Sequence, residues 1–230
     1  MVNIKGSTVV VTGGQRGLGK AVVEELLERG AAKVYATARA PRHSQDPRVV
    51  SIELDVTKPD SVAALAVTAS DADIVVNNAG ILGAPKLLSS DIEEVRAVFE
   101  TNYFGALRVA KAFAPILADN GGGALVDIHS VLSWVGGFGG YGDSKAAFWS
   151  ATNSLRIELE KQGTVVTGVH LGYTETDMTS GFDVPKNDPR QVAREIVDGI
   201  ERGDAEVLAD DDTRYVKAAL SGPVEALRLG

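Results

Sequence analysis

The sequence predicts an α/β protein in which seven parallel strands form a doubly wound sheet with helices on both faces. Short β-branched and apolar runs alternate along the whole chain with longer segments of helical periodicity. Elements that alternate in this way are joined by right-handed crossovers, which give a parallel sheet. A glycine-rich turn links the first strand to the first helix, and polar residues follow most other strands. We therefore expect residues 1–230 to form a single domain with a ligand site at one sheet edge.

The strand prediction depends on seven short runs that lack a helical stripe. The first of them, Thr8–Val11, is β-branched throughout, which is typical of a strand buried inside a parallel sheet. The predicted strands are residues 8–11, 33–37, 49–54, 73–77, 124–129, 164–171 and 205–209.

The helix prediction depends on apolar residues that recur three and four positions apart. After the glycine turn, Val22, Val23 and Leu26 lie on one stripe, and Gly30 ends the helix. Asp188 and Pro189 are a typical N-cap and first helical residue. The predicted helices are residues 20–29, 59–69, 92–118 (with a kink at Pro115), 141–162 and 189–202. The acidic triplet 210–212 is predicted to be a solvated turn before a weakly helical tail.

Composition excludes several classes of protein. A net charge of −8 opposes nucleic-acid binding, since phosphate contacts need a basic face. The absence of cysteine excludes disulfides and thiolate catalysis, and three scattered histidines give no metal-site spacing. The sequence shows neither a signal peptide nor an apolar run of about 18 residues, so we expect no membrane span and a cytoplasmic protein.

The glycine turn is the first candidate binding element. Gly13, Gly17 and Gly19 lie where a strand gives way to a helix. Unpaired N–H groups and partial positive charge at a helix N-terminus favour an anion, and glycine allows a ligand to approach closely. An ordinary strand-to-helix turn would have the same pattern, so the phosphate interpretation needs support from the rest of the chain.

The second candidate element is a tyrosine–lysine pair that opens a long helix. Tyr141 and Lys145 are four residues apart and share a helix face. A nearby ammonium lowers the pKa of a phenol, which makes tyrosine a general acid or base. Ser130 directly follows a strand and is placed to bind a substrate oxygen, whereas Asn102 lies within a predicted helix. That asparagine is either exposed or serves a buried water or backbone group.

Together these residues resemble the short-chain dehydrogenase/reductase family, in its single-domain form with a Rossmann-like fold. The resemblance covers nearly the whole chain. Its motifs are Thr12-Gly13-x-x-x-Gly17-x-Gly19, Asp55, Asn77-Asn78-Ala79-Gly80, Asn102, Ser130 and Tyr141-x-x-x-Lys145.

The resemblance implies a nicotinamide-dependent oxidoreductase that interconverts a carbonyl and an alcohol. It implies that Tyr141 donates the proton, that Lys145 lowers its pKa and holds the nicotinamide ribose, and that Ser130 orients the substrate oxygen. Asn102 would support a proton-relay water. The implied cofactor-binding residues are Gly13, Gln15, Arg16, Gly17, Leu18, Gly19, Arg39, Asp55, Val56, Asn77, Ala79, Gly80, Tyr141, Lys145, Gly172, Thr174 and Thr176.

Two departures from the family pattern concern the substrate side. Leu171-Gly172 replaces the usual Pro-Gly, and losing proline should loosen the following loop. The glycine-rich segment 131–140 is about two residues short, so Ser133 competes with Ser130 for the serine role. Ser130 is the preferred assignment because it directly follows the strand.

The cofactor prediction depends on charge at the end of the second strand. An acidic residue there would bind a ribose 2′-hydroxyl and repel a 2′-phosphate. The chain instead has Arg39, and Arg16 lies within reach, with Arg42 and His43 nearby. Arginine presents a planar donor fork to phosphate, so we expect NADP(H), although both arginines are also compatible with an ordinary surface position.

The predicted substrate is a small, neutral, hydrophobic carbonyl or alcohol. Candidate pocket segments 81–83, 132–138 and 173–182 are mostly apolar, and Trp134 and Phe138 are either pocket or core residues. Segment 178–187 is a candidate mobile lid, and apolar surfaces on helices 92–118 and 141–162 predict a homotetramer or homodimer. The alternatives are an epimerase or dehydratase of the same fold, and a non-catalytic NADP(H)-binding sensor or scaffold.

Overall fold

Seven strands form one parallel sheet, as predicted, in a computed structural model that describes residues 2–227. The strand order is β3-β2-β1-β4-β5-β6-β7. From β1 the chain adds β2 and β3 on one side and then β4 to β7 on the other, so the strand order reverses between β1 and β4. The strands are β1 (Thr8–Val11), β2 (Lys33–Ala38), β3 (Val49–Glu53), β4 (Ile74–Asn77), β5 (Ala124–Ile128), β6 (Val165–His170) and β7 (Glu206–Leu208).

Helices cover both faces of this sheet and bury a separate apolar layer on each. The helices are α1 (Gly17–Glu28), α2 (Pro59–Thr68), α3 (Ile92–Phe99), α4 (Ala106–Asp119), α5 (Gly139–Leu159), α6 (Pro189–Arg202) and α7 (Asp211–Ala219). On one face α1 packs against α6, and on the other α4 packs against α2 and α5. Because α1 and α5 both begin near the carboxyl ends of strands, the glycine turn and Tyr141 are brought to the same edge of the sheet.

The segment predicted as one helix over 92–118 is interrupted by a π-helical turn, Glu100–Gly105. Gly105 lies against Val56, and a Cβ on that glycine would come within 2.7 Å of the valine side chain. The wider turn places Asn102 in the interior, and α4 then continues through Pro115 to Asp119. The periodicity of the sequence does not reveal the π-helical turn, because the apolar stripe resumes after it.

The prediction that residues 210–212 form a solvated turn is wrong. Asp210 is the N-cap of α7, and its Oδ1 accepts a 2.8 Å hydrogen bond from the Thr213 N–H. Asp210 is only 8% exposed, while Asp211 and Asp212 lie in the first helical turn, where the helix dipole favours acidic side chains. The triplet therefore begins a helix.

Within residues 2–227, none of the helices is both long and apolar enough to cross a membrane. Over the same residues, no group of three or more His, Cys, Asp or Glu side chains is placed to hold a metal ion.

Candidate active site

A cleft of about 1400 Å³ runs along the carboxyl ends of the strands, across the point where the strand order reverses. This edge is where ligands bind in open parallel sheets. The cleft exceeds the usual range for small-molecule pockets, about 300–1,000 Å³, and so has room for an extended ligand. The predicted site residues that line it are Gly13, Gln15, Arg16, Gly17, Leu18, Gly19, Arg39, Asp55, Val56, Ala79, Gly80, Ser130, Tyr141, Lys145, Gly172, Thr174 and Thr176.

The glycine turn has the geometry of an anion cradle. Gly13 and Gly17 have φ angles of +66° and +51°, which side-chain-bearing residues rarely adopt. A Cβ at Gly19 would collide with the Gly13 carbonyl oxygen, so the turn requires glycine there. Arg16 is the N-cap of α1, and within residues 2–227 no side chain caps this helix N-terminus. Its first N–H groups are therefore free to bind an anion in the cleft.

A hydroxyl network joins this turn to the end of β4. The Thr12 hydroxyl accepts hydrogen bonds from the N–H groups of Asn78 and Ala79, at 2.9 and 3.0 Å. The Asn78 side chain donates to the Thr12 carbonyl at 2.9 Å. These bonds set the floor of the cleft across the strand pair β1 and β4.

Asn77 does not line the cleft, which corrects its assignment as a cofactor-binding residue. It is buried, and its amide donates to the Ala106 carbonyl at 3.2 Å and to Asp127 Oδ1 at 3.0 Å. Successive strand residues point to opposite faces, and the last residue of β4 points toward α4. The neighbouring Asn78 is the asparagine in the cleft wall.

Basic side chains gather at one end of the cleft. Arg16, Arg39, Arg42 and His43 all line it. The carboxylates that line the same end already have partners: Asp46 pairs with Arg48 at 2.7 Å, Glu24 pairs with Lys20 at 3.6 Å, and Asp55 accepts hydrogen bonds from Thr57 at 2.7 and 2.9 Å.

Asp55 is held as a carboxylate. Hydrogen bonds from Thr57 lower its pKa against the opposing effect of burial, and the charges of Lys58 and Arg39 lower it further. Both Arg39 and Asp55 line the cleft.

Tyr141, Ser130 and Lys145 converge at the opposite end of the cleft. Burial raises the pKa of the Tyr141 phenol to about 12, and a hydrogen bond with the Ser130 hydroxyl lowers it. Burial also lowers the pKa of Lys145 to about 8, against the opposing charge of Asp127. The Lys145 ammonium donates a 2.7 Å hydrogen bond to the Ile128 carbonyl.

The expected effect of Lys145 on Tyr141 is therefore corrected. The two side chains share a helix face, with the Lys145 nitrogen 5.9 Å from the centre of the Tyr141 ring. Burial is the dominant influence on the phenol, so the pKa of Tyr141 is raised rather than lowered. The four-residue spacing correctly predicted that Lys145 lies beside Tyr141, but it did not predict the raised pKa of the phenol.

Asn102 is not among the residues lining the cleft. Its Oδ1 accepts a 2.9 Å hydrogen bond from the Ile81 N–H, and its amide donates 3.0 Å bonds to the Ile81 carbonyl and the Ser144 hydroxyl. Ser144 in turn donates a 2.7 Å bond to the Tyr141 carbonyl. Asn102 thus ties the chain after β4 to the first turns of α5, where Ser144 contacts the Tyr141 backbone.

The structure places Ser130, and not Ser133, in the cleft wall. Ser130 lies two residues after the end of β5, and its hydroxyl accepts a 3.2 Å hydrogen bond from the Leu132 N–H. Ser133 is buried in the short 3-10 turn Val131–Ser133, where its hydroxyl has no partner within the described residues. Trp134 is also buried, with its ring stacked on His170 at 3.8 Å, and belongs to the core.

The loop after β6 is held without the usual proline. Asp210 Oδ2 accepts hydrogen bonds from the Gly172 N–H at 2.6 Å and from the Asn187 side chain at 2.7 Å. Asn187 also pairs with the backbone of Tyr173 at 2.8 Å. The expectation of a loosened loop is wrong because a carboxylate 38 residues further on anchors it, a contact that local sequence cannot predict.

A second cavity of about 260 Å³ adjoins the catalytic end, and Tyr141 lines both spaces. All of its lining residues are uncharged, and Phe182 comes from the segment predicted as a lid. The cavity is lined by Leu82, Gly83, Pro85, Phe138, Tyr141 and Phe182.

A doubly wound sheet with a glycine cradle at its reversal point, and a tyrosine, serine and lysine at the same edge, defines a class of α/β oxidoreductases. The sequence profile of the family described as "short chain dehydrogenase" matches residues 7–186, and the chain belongs to that family.

Several relatives are similar to this chain over most of their length. A short chain dehydrogenase from Burkholderia cenocepacia J2315, solved in complex with NADP, is 36% identical with a TM-score of 0.91, covering 98% of this chain and 97% of that one. The 3-oxoacyl-[acyl-carrier-protein] reductase of Vibrio cholerae is 33% identical over 84% of this chain and 88% of its own. The 1-deoxy-11-beta-hydroxypentalenate dehydrogenase of Streptomyces avermitilis is 35% identical over 81% and 75%.

Proposed function

We propose that the protein is an NADP(H)-dependent oxidoreductase that interconverts a ketone or aldehyde and an alcohol. The observation that carries the proposal is the position of Tyr141, which lines both the large cleft and the adjoining apolar cavity. A proton donor at this boundary is within reach of a substrate in one space and a dinucleotide in the other. Ser130 and Lys145 lie in the same wall of the cleft.

The residues present fit a dinucleotide. The glycine turn presents uncapped N–H groups of α1 to the cleft, which suits a pyrophosphate. The relative from Burkholderia cenocepacia, similar over almost the whole chain, was solved with NADP. Bound NADPH would supply a hydride to the substrate carbonyl carbon.

The chain's own residues would handle the proton. With a pKa of about 12, the Tyr141 phenol is protonated at neutral pH and is ready to donate to a substrate oxygen. Ser130 would hold that oxygen by its hydroxyl. With a pKa of about 8, Lys145 is mostly an ammonium at neutral pH, and its charge favours the phenolate left after donation.

Charge at the other end of the cleft supports NADP(H) over NAD(H). Arg16 and Arg39 line that end, and its carboxylates are engaged by other side chains. A 2′-phosphate would therefore meet guanidinium groups rather than a free acid. The proposed substrate is neutral and hydrophobic, because the cavity beside Tyr141 is lined by uncharged residues.

NADPH consumption with a panel of aliphatic and aromatic ketones and aldehydes tests the proposal. We expect turnover with NADPH that exceeds turnover with NADH and falls by at least about a thousandfold in Tyr141→Phe, because general acid catalysis is lost. Tight NADPH binding without turnover of any substrate would instead support a non-catalytic sensor or scaffold. Turnover that survives in Tyr141→Phe would contradict the assignment of the proton donor.

We also propose a homodimer or homotetramer assembled on the face formed by the π-helical turn and α5. Phe104 and Ile157 are 45% and 75% exposed there, and a second copy would cover them. Light scattering coupled to size exclusion tests this proposal: Ile157→Glu should reduce the mass of the assembly, and a monomeric wild type would contradict it.

A further inference from the structure

The side chain of Gln15 binds the backbone of the loop between β2 and β3. Its Oε1 accepts a 2.7 Å hydrogen bond from the Arg42 N–H, and its Nε2 donates a 3.0 Å bond to the Arg42 carbonyl. The remaining Nε2 proton faces the Ala36 carbonyl at 3.5 Å. The amide thus pairs with Arg42 as one strand residue pairs with another, and its two donors and its oxygen all have protein partners.

A second hydroxyl fixes the same peptide group. Ser51 in β3 donates a 2.7 Å hydrogen bond to the Arg42 carbonyl, so that oxygen has two donors from two different elements. Further along the loop, Arg48 pairs with Asp46 at 2.7 Å and donates to the Leu27 carbonyl at 3.0 Å. The loop is therefore attached at both ends to the elements beside the cleft.

The attached loop carries two of the arginines that line the cleft. Arg39, Arg42 and His43 all line it, and Arg16 lines it from the glycine turn, next to Gln15 in sequence. Gln15 holds the basic loop, and Arg16, the next residue of the turn, lines the cleft. The loop and the turn are thereby fixed relative to each other in the wall of the same space.

We propose that Gln15 is a positioning residue that sets the preference for a nucleotide bearing a 2′-phosphate. It acts by fixing the backbone of Arg42, so that the loop arginines stand opposite Arg16 before the ligand arrives. Long arginine side chains on a free loop would have to be ordered on binding, which weakens affinity, whereas a fixed backbone removes part of that cost. The proposal rests on the NADP(H) dependence proposed above.

The test uses two probes that differ only at the 2′ position, 2′,5′-ADP and 5′-AMP. In Gln15→Asn the amide remains but is one methylene shorter and cannot reach Arg42. We expect the dissociation constant of 2′,5′-ADP to rise about tenfold, the value for two lost hydrogen bonds, and that of 5′-AMP to change less than about twofold. The KM for NADPH should rise in parallel, and by a larger factor than the KM for NADH.

Two further variants separate this effect from a general loss of structure. Ser51→Ala removes one donor to the Arg42 carbonyl. It should also raise the dissociation constant of 2′,5′-ADP, but by a smaller factor than Gln15→Asn does. Gln162→Ala is the matched control, because Gln162 also donates to a backbone carbonyl and a hydroxyl, at 2.9 and 2.8 Å, far from the cleft. It should lower the thermal midpoint without altering the preference for the 2′-phosphate.

The outcomes distinguish this inference from the proposed function. A wild type that binds 2′,5′-ADP and 5′-AMP equally would contradict the NADP(H) preference itself. A wild type that prefers 2′,5′-ADP, with Gln15→Asn and Ser51→Ala variants that keep the full preference, would overturn only the role of Gln15. Equal weakening of both probes in Gln15→Asn would also overturn it, because the residue would then serve the whole site.

Discussion

The carboxylate of Asp210 accepts a 2.6 Å hydrogen bond from the backbone N–H of Gly172 and caps α7 with its other oxygen. One side chain thus anchors the loop at the catalytic end of the cleft and starts the helix that follows the last strand. The bond from Asn187 to the same carboxylate closes the base of the segment that carries Phe182. Stability and site geometry are therefore coupled at this residue.

Asp210→Ala should lower the free energy of unfolding by about 3 kcal/mol, because it removes a helix cap and two hydrogen bonds to a buried carboxylate. It should also raise the KM for NADPH, since Gly172 lines the cleft. Urea denaturation and steady-state kinetics measure the two effects. Asp211→Ala is the control, because Asp211 is one residue away and exposed, and it should change neither the free energy of unfolding nor the KM by much. An equal loss of stability in Asp211→Ala would contradict the role of Asp210.

Lys145 is faced by one charged group of opposite sign, Asp127, which is fully buried and has a pKa raised to about 6 by burial. Thr152 and Asn77 hold its carboxylate at 2.7 and 3.0 Å. The nearby His129 and His170 have pKa values lowered by burial and are neutral at neutral pH. Asp127 therefore raises the pKa of Lys145 against the effect of burial.

Asp127→Asn should move the alkaline limb of the pH profile of reduction to lower pH. In the wild type kcat/KM should fall as Lys145 deprotonates near pH 8. Removing the anion lowers that pKa further, so we expect the limb to shift down by about one unit. Asp119→Asn removes an equal charge at the exposed end of α4 and should leave the limb in place. An unshifted limb in Asp127→Asn would contradict this coupling.

Arg39→Asp should move the cofactor preference toward NADH. The substitution removes a phosphate-binding fork and places a carboxylate where a 2′-hydroxyl could bind. We expect the ratio of kcat/KM for NADPH to that for NADH to fall by at least about thirtyfold, as for a lost hydrogen bond to a charged group plus repulsion. Arg96→Asp, an exposed arginine on α3, controls for net charge. An unchanged ratio in Arg39→Asp would remove this arginine from the phosphate site.

Asn102→Asp should lower kcat more than it raises KM. The carboxylate can still accept from the Ile81 N–H, but it cannot donate to the Ile81 carbonyl or to Ser144, which holds the first turn around Tyr141. We expect kcat to fall by about tenfold or more. Asn120→Asp loses two comparable backbone bonds at a remote site, both at 3.0 Å, and should lower stability without changing kcat. Equal kinetic losses in the two variants would indicate a purely structural role for Asn102.

The sequence predicted the features that depend on short-range patterns. The parallel, doubly wound sheet followed from alternating elements, the cradle from glycines between a strand and a helix, and the proximity of Tyr141 and Lys145 from four-residue spacing. Asn77 was misplaced because a one-residue choice at a strand end decides which face a side chain occupies. The anchor at Asp210 and the loop contact of Gln15 join residues 38 and 27 positions apart, so only the fold reveals them.

Tyr141 stands in the wall that the large cleft and the apolar cavity share, and that arrangement has a consequence for chirality. A ketone that occupies the cavity with its oxygen at the phenol turns a single side of its planar carbonyl toward the cleft. Phe138 and Phe182 line that cavity with their rings in edge contact, so the two unequal groups of the ketone would meet different walls. A prochiral substrate would therefore leave this site as one enantiomer, whose hand is set by which group enters the apolar cavity.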